Sequence, residues 1–76
     1  MRRRRRLPPA PVNVRLEDAD GRVWPVELAY LGRRRGLDAW QATAPVGLDL
    51  DRPFHLLADE VPGRCSITVG LATGEV

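Results

Sequence analysis

Apolar side chains recur at every second position in three stretches, the spacing of a strand with one face buried. Val12, Val14 and Leu16 alternate with Asn13, Arg15 and Glu17. Trp24, Val26, Leu28 and Tyr30 form a second row, and Cys65, Ile67, Val69 and Leu71 a third. Such a pattern predicts an all-β body.

The turns between the rows set the register. A two-residue Asp20-Gly21 loop places the first two apolar rows on opposite faces. A three-residue Ala19-Asp20-Gly21 loop, with Gly21 left-handed, pairs Leu16 with Trp24 and Val14 with Val26 and joins the rows into one face. The second register is expected. Gly32-Arg33-Arg34-Arg35-Gly36 reads as the next loop, with Leu31 facing Leu37, Leu28 facing Trp40 and Val26 facing Ala42. Three antiparallel strands follow, roughly 12–18, 22–31 and 37–43. Pro25 conflicts with a central position because it cannot donate to a ladder, which predicts a bulge or an exposed edge there.

Val46, Leu48 and Leu50 alternate weakly. Residues 54–61 fit a strand through Phe54, Leu56 and Ala58, or a helix opened by Pro53. The strand is preferred because Val61-Pro62-Gly63-Arg64 reads as a turn into the strand at 65–71, with Phe54 and Leu56 on the face of Ile67. The tail 72–76 is expected to fray. The fold class is thus a small antiparallel sandwich or barrel of five or six strands.

Charge divides the chain into two parts. All twelve basic residues are Arg, set against ten acids for a net charge of +2. The bias to Arg, Ala, Gly and Pro is what a GC-rich genome produces. Arg2, Arg3, Arg4, Arg5 and Arg6 are followed by Leu7-Pro8-Pro9-Ala10-Pro11, so residues 1–11 read as a disordered or extended arm. The body, 12–76, keeps seven Arg against all ten acids and is therefore −3. At 76 residues one packed core is the limit, and stability should be marginal enough to invite a partner or self-association.

Several classes of protein are disfavoured. No apolar run reaches the ~18 residues of a membrane span, and no apolar stretch follows the basic start as an export signal requires. A cytoplasmic location is expected, and a lone Cys suits a reducing compartment. One Cys and one His cannot assemble a zinc site, and no phosphate-cradling Gly-rich loop is present, so no cofactor is expected. His55 and Cys65 should lie on different faces, which disfavours a nucleophile pair; Asp49, Asp51, Asp59 and Glu60 lack calcium-loop spacing. An enzyme is not expected. Trp24, Tyr30 and Trp40 could stack on nucleobases, but a body this small needs them in its core.

The remaining signal is Arg placement. In the expected meander, Arg33, Arg34 and Arg35 lie at the end where the arm emerges, giving eight Arg at one pole with Asp18 and Asp20 at the other. That pole suits a nucleic-acid backbone or an acidic protein surface, though poly-Arg also serves solubility alone.

Asp20-Gly21-Arg22-Val23-Trp24-Pro25-Val26-Glu27-Leu28-Ala29-Tyr30, Gly36-Leu37-Asp38-Ala39-Trp40 and Val61-Pro62-Gly63-Arg64-Cys65-Ser66-Ile67 together resemble small all-β proteins of actinobacterial phages. The resemblance covers about half the chain and includes no diagnostic motif. It implies a particle component or a protein that engages a host component, placed in the virion or the host cytoplasm, and it assigns no site residues. Three readings stay open: a nucleic-acid-binding module, an assembly subunit forming a homo-oligomer through strand edges, and a binder of a host protein.

Overall fold

A computed structural model describes residues 7–71. Arg2–Arg6 and the tail 72–76 lie outside the described residues. Six strands and no helix make up that span: β1 (Arg15–Glu17), β2 (Val23–Pro25), β3 (Glu27–Arg34), β4 (Leu37–Ala44), β5 (His55–Leu57) and β6 (Cys65–Leu71). They form two three-stranded sheets, ordered β2-β1-β5 and β3-β4-β6. The all-β class holds.

The first hairpin follows the expected register. Leu16 faces Trp24, and Ala19-Asp20-Gly21 forms the loop, with Gly21 at φ +86°. Asp18 closes it: its backbone N–H donates to the Arg22 carbonyl, and its carbonyl accepts from Gly21. Its carboxylate accepts from the backbone N–H groups of Asp20 and Arg22.

The expected strand 22–31 is broken. The chain leaves one sheet after Pro25 and enters the other at Glu27, so β2 and β3 belong to different layers. Pro25 explains the break, because it has no N–H to extend a ladder, and β2 is an edge strand, where Pro is tolerated. Val26, the link between the sheets, packs into the core. No three-stranded meander forms, since β1 lies between β2 and β5.

The second hairpin is tighter than the five-residue loop expected. Arg34 already pairs with Leu37, leaving Arg35-Gly36 as a two-residue turn with φ of 53° and 79°. Positive φ at both positions is the primed turn whose twist matches a hairpin. The register moves by three at the turn and, beyond a one-residue bulge, by two: Tyr30, not Leu28, faces Trp40, and Leu28 faces Ala42. A shift of two keeps every side chain on its face, so the apolar pattern could not distinguish the registers. A bulge between Tyr30 and Gly32 absorbs Leu31.

Two corrections concern the second half. β5 is a strand, as preferred, but it pairs with β1 and not with β6. β6 instead pairs with β4, in parallel, from Asp38–Cys65 to Ala44–Leu71. Parallel neighbours need a long crossover, and residues 45–64 supply it by passing through β5 in the other sheet. The weak alternation at Val46, Leu48 and Leu50 is not a strand; Leu48 alone of the three is buried.

The core lies between the sheets. Leu16, Ala44 and Leu48 form its centre, with Trp24, Val26, Leu50, Phe54, Leu56 and Val69 packed around them. Phe54 and Leu56 thus share an interior with β6 from the opposite layer. Leu16 is the one fully buried large side chain among the described residues. Trp40 is also buried, while Trp24 and Tyr30 are half-buried.

Candidate anionic-ligand interface

Arg33 and Arg34 close β3 and Arg35 occupies the turn; all three are exposed. Arg33 stands opposite Asp38, and Asp38 stands opposite Cys65 on the other side of β4. The Asp38 N–H donates to the Arg64 carbonyl at 2.7 Å. Parallel pairing of β6 on β4 therefore brings exposed Arg64 to the same end of the sheet as Arg33–Arg35. Arg64 was missed from the sequence because its position depends on that pairing, which no local signal announces.

The arm enters at this end. The Cys65 thiol lies 3.9 Å from the Pro9 carbonyl, and Pro11 is buried. Chain direction there is held by backbone bonds Val12–Glu60 and Asp59–Val12, each 2.8 Å. Asp59 adds side-chain bonds, accepting from Asn13 at 2.9 Å and from Arg15 at 2.8 Å. These bonds, Asn13 first, hold the Asp59 carboxyl below its ordinary value.

Charge is distributed unevenly among the remaining Arg. Arg15 pairs with Asp59, Arg52 pairs with Asp20, and the Arg22 guanidinium lies 4.2 Å from the centre of the Trp24 ring. Arg33, Arg34, Arg35 and Arg64 have no ion pair among the described residues. Asp38, the carboxylate nearest them in the sheet, accepts the Tyr30 hydroxyl at 2.9 Å. Desolvation chiefly, and then this bond, raise the Tyr30 pKa.

The three large aromatics are engaged in the fold, as expected of a body this small. Tyr30 and Trp40 rings lie 5.0 Å apart at 47°. The Trp24 indole N–H donates to Asp18 at 2.9 Å, and its ring lies against Gly47. The Trp40 indole N–H has no partner among the described residues. His55 is exposed on β5, and Cys65 is half-buried on β6 in the other sheet.

Two concavities lie elsewhere on the surface of the described residues. An open apolar groove of about 440 Å³ lies between Pro25–Glu27 and Thr43–Pro45, with Glu27 its one ionisable side chain. A smaller cleft of about 230 Å³ is lined by Asp18, Asp20, Arg22, Asp49 and Arg52, where opposite charges mix. Among the described residues no three His, Cys, Asp or Glu side chains are grouped to hold a metal, and no helix is long and apolar enough to cross a membrane.

No family model, curated protein or solved structure matches the chain.

Proposed function

We propose that this chain is a non-enzymatic interaction module whose Arg-rich end binds an anionic partner, most concretely a nucleic-acid backbone. The observation that carries the reading is the set of four exposed Arg, at 33, 34, 35 and 64, lacking ion pairs among the described residues at one end of a sheet. Pro9, in the described part of the arm, reaches that end, and the sequence before it carries five further Arg, at 2–6. Arg offers bidentate contacts to phosphate oxygens, and such contacts position a protein without selecting sequence.

The turn adds independent support. Arg35 has φ +53°, a left-handed conformation that costs a non-Gly residue about 1 kcal/mol. Asn or Gly fits that turn position with less strain. A cation kept there despite the cost is consistent with a role for its charge. Under the phage resemblance, the module works in the host cytoplasm or within the particle.

The test is a shift assay with duplex and single-stranded oligonucleotides across a salt series. The logarithm of affinity should fall with log salt at a slope of about −0.9 per phosphate contacted on duplex DNA. Changing Arg33, Arg34 and Arg64 to Gln, or deleting residues 2–6, should weaken binding and flatten that slope. Salt-insensitive binding, or binding unchanged in both variants, rejects the reading.

A further inference from the structure

The four sheet edges are not guarded alike. Exposed edges present unpaired N–H and C=O groups, and proteins protect them with shortness, charge, Pro or bulges. β2 and β5 are each three residues long, and β2 contains Pro25. β3 carries Glu27, Arg33 and Arg34 and is interrupted by the bulge after Tyr30. β6 has none of these devices. It runs seven residues with no charge and no Pro, in unbroken register with β4, and its outer side is unpaired among the described residues.

Side-chain order along β6 supplies a second observation. Read outward from Thr68, the strand offers Ile67 and Val69, then Ser66 and Gly70, then Cys65 and Leu71. Ile67 and Val69 match in polarity and closely in size, Ser66 and Gly70 are both small, and Cys65 and Leu71 are both apolar. A two-fold contact requires this property, because residue i must suit residue j when j of one copy meets i of the other. Antiparallel pairing centred on Thr68 sets β-branched apolar against β-branched apolar, small against small and apolar against apolar.

We propose that β6 is a dimerisation edge whose partner is a second copy of the same strand, antiparallel and centred on Thr68. The two β3-β4-β6 sheets then become one six-stranded sheet. Ile67 meets Val69 of the second copy on the core side, and the Thr68 pair meets on the outer side, where Thr–Thr contacts stabilise antiparallel ladders. Leu71, 68% exposed in the single chain, gains the second copy's Cys65 as its neighbour. Since Cys65 lies at the Arg end of the sheet, the dimer carries its two Arg clusters at opposite ends.

Sedimentation equilibrium and disulfide mapping test this together. The native chain should sediment at twice its 8.5 kDa mass. Thr68→Lys places like charges directly opposite each other on the exposed side of the strand and should give a monomer with unchanged circular dichroism. In a Cys65→Ser background, Thr68→Cys should oxidise to a covalent dimer, because directly opposed Cβ atoms lie about 4.5–5.5 Å apart. Ser66→Cys should not, being offset from its mate by four positions, about 14 Å along the strand. A native monomer, a dimer that survives Thr68→Lys, or cross-linking at 66 in place of 68 overturns the proposal.

Discussion

Asp18 shows how one short side chain organises a loop and what acid does to it. Its carboxylate accepts from two backbone N–H groups and from the Trp24 indole, tying the first hairpin to an aromatic of the core. The Trp24 bond is the largest cause of its lowered pKa, ahead of the backbone bonds. A carboxyl whose folded pKa is depressed contributes stability that is present above its unfolded value, ordinarily 3.8, and is lost as pH falls through the folded one. Asp59, lowered mainly by Asn13 and then Arg15, acts in the same window. Trp24→Phe should therefore move the Asp18 pKa upward and flatten the loss of stability below about pH 4, with Asp59 unmoved. Carboxyl titration by NMR in both proteins reads this directly. An Asp18 pKa unchanged by the substitution would place the cause in the backbone bonds alone.

Among the elements, the β3–β4 hairpin holds the clearest opposition between stability and charge. Asn at position 35 suits the primed turn, so Arg35→Asn should raise stability by about 0.5–1 kcal/mol. In a domain of this size that corresponds to about 3–6 °C in Tm. Oligonucleotide affinity should fall in the same variant, since one cation is removed from the exposed tip. Thermal unfolding and the shift assay, run side by side, give the two signs. Much of this element was legible beforehand: the strands on either side, the face of each apolar residue and the presence of a Gly-containing turn. The loop length was not, because the bulge at Leu31 offsets one residue of a three-residue difference, and registers two apart bury the same side chains. Pro25 was legible as an obstacle, and its resolution as a change of sheet was not. A missing N–H shows that a ladder stops without showing where the chain goes next.

At the scale of the whole molecule, the Arg end and the β6 edge combine. If both proposals hold, two antiparallel copies would carry cationic clusters at both ends of a joined sheet, and a long nucleic acid would engage both while a short oligonucleotide would engage one. Linking two sites raises apparent affinity by about 10²–10⁴ when the ligand spans both. Thr68→Lys adds a cation, so loss of affinity in that variant cannot come from charge. It should lose binding to long duplex far more than to a short one. Equal affinities for the two lengths in the native protein, with no change on substitution, would separate dimerisation from binding.

Local physics accounts for what the sequence determined by itself. Period-two burial, Gly21 in a left-handed loop position and the run Arg2–Arg6 ahead of a body of net charge −3 define an all-β body preceded by a basic segment. These follow from side-chain alternation, backbone sterics and charge counting, which need no distant partner. Tertiary structure decided the rest: the split of β2 from β3, the placement of β5 beside β1, and the parallel docking of β6 on β4. Each of these joins residues far apart in the chain, and the bonds that hold them are backbone groups, identical at every position. Side-chain pattern can say which face of a strand is buried, but only the packed core selects its neighbour. That selection brings Arg64 to Arg33 and leaves β6, the least guarded strand, at the edge.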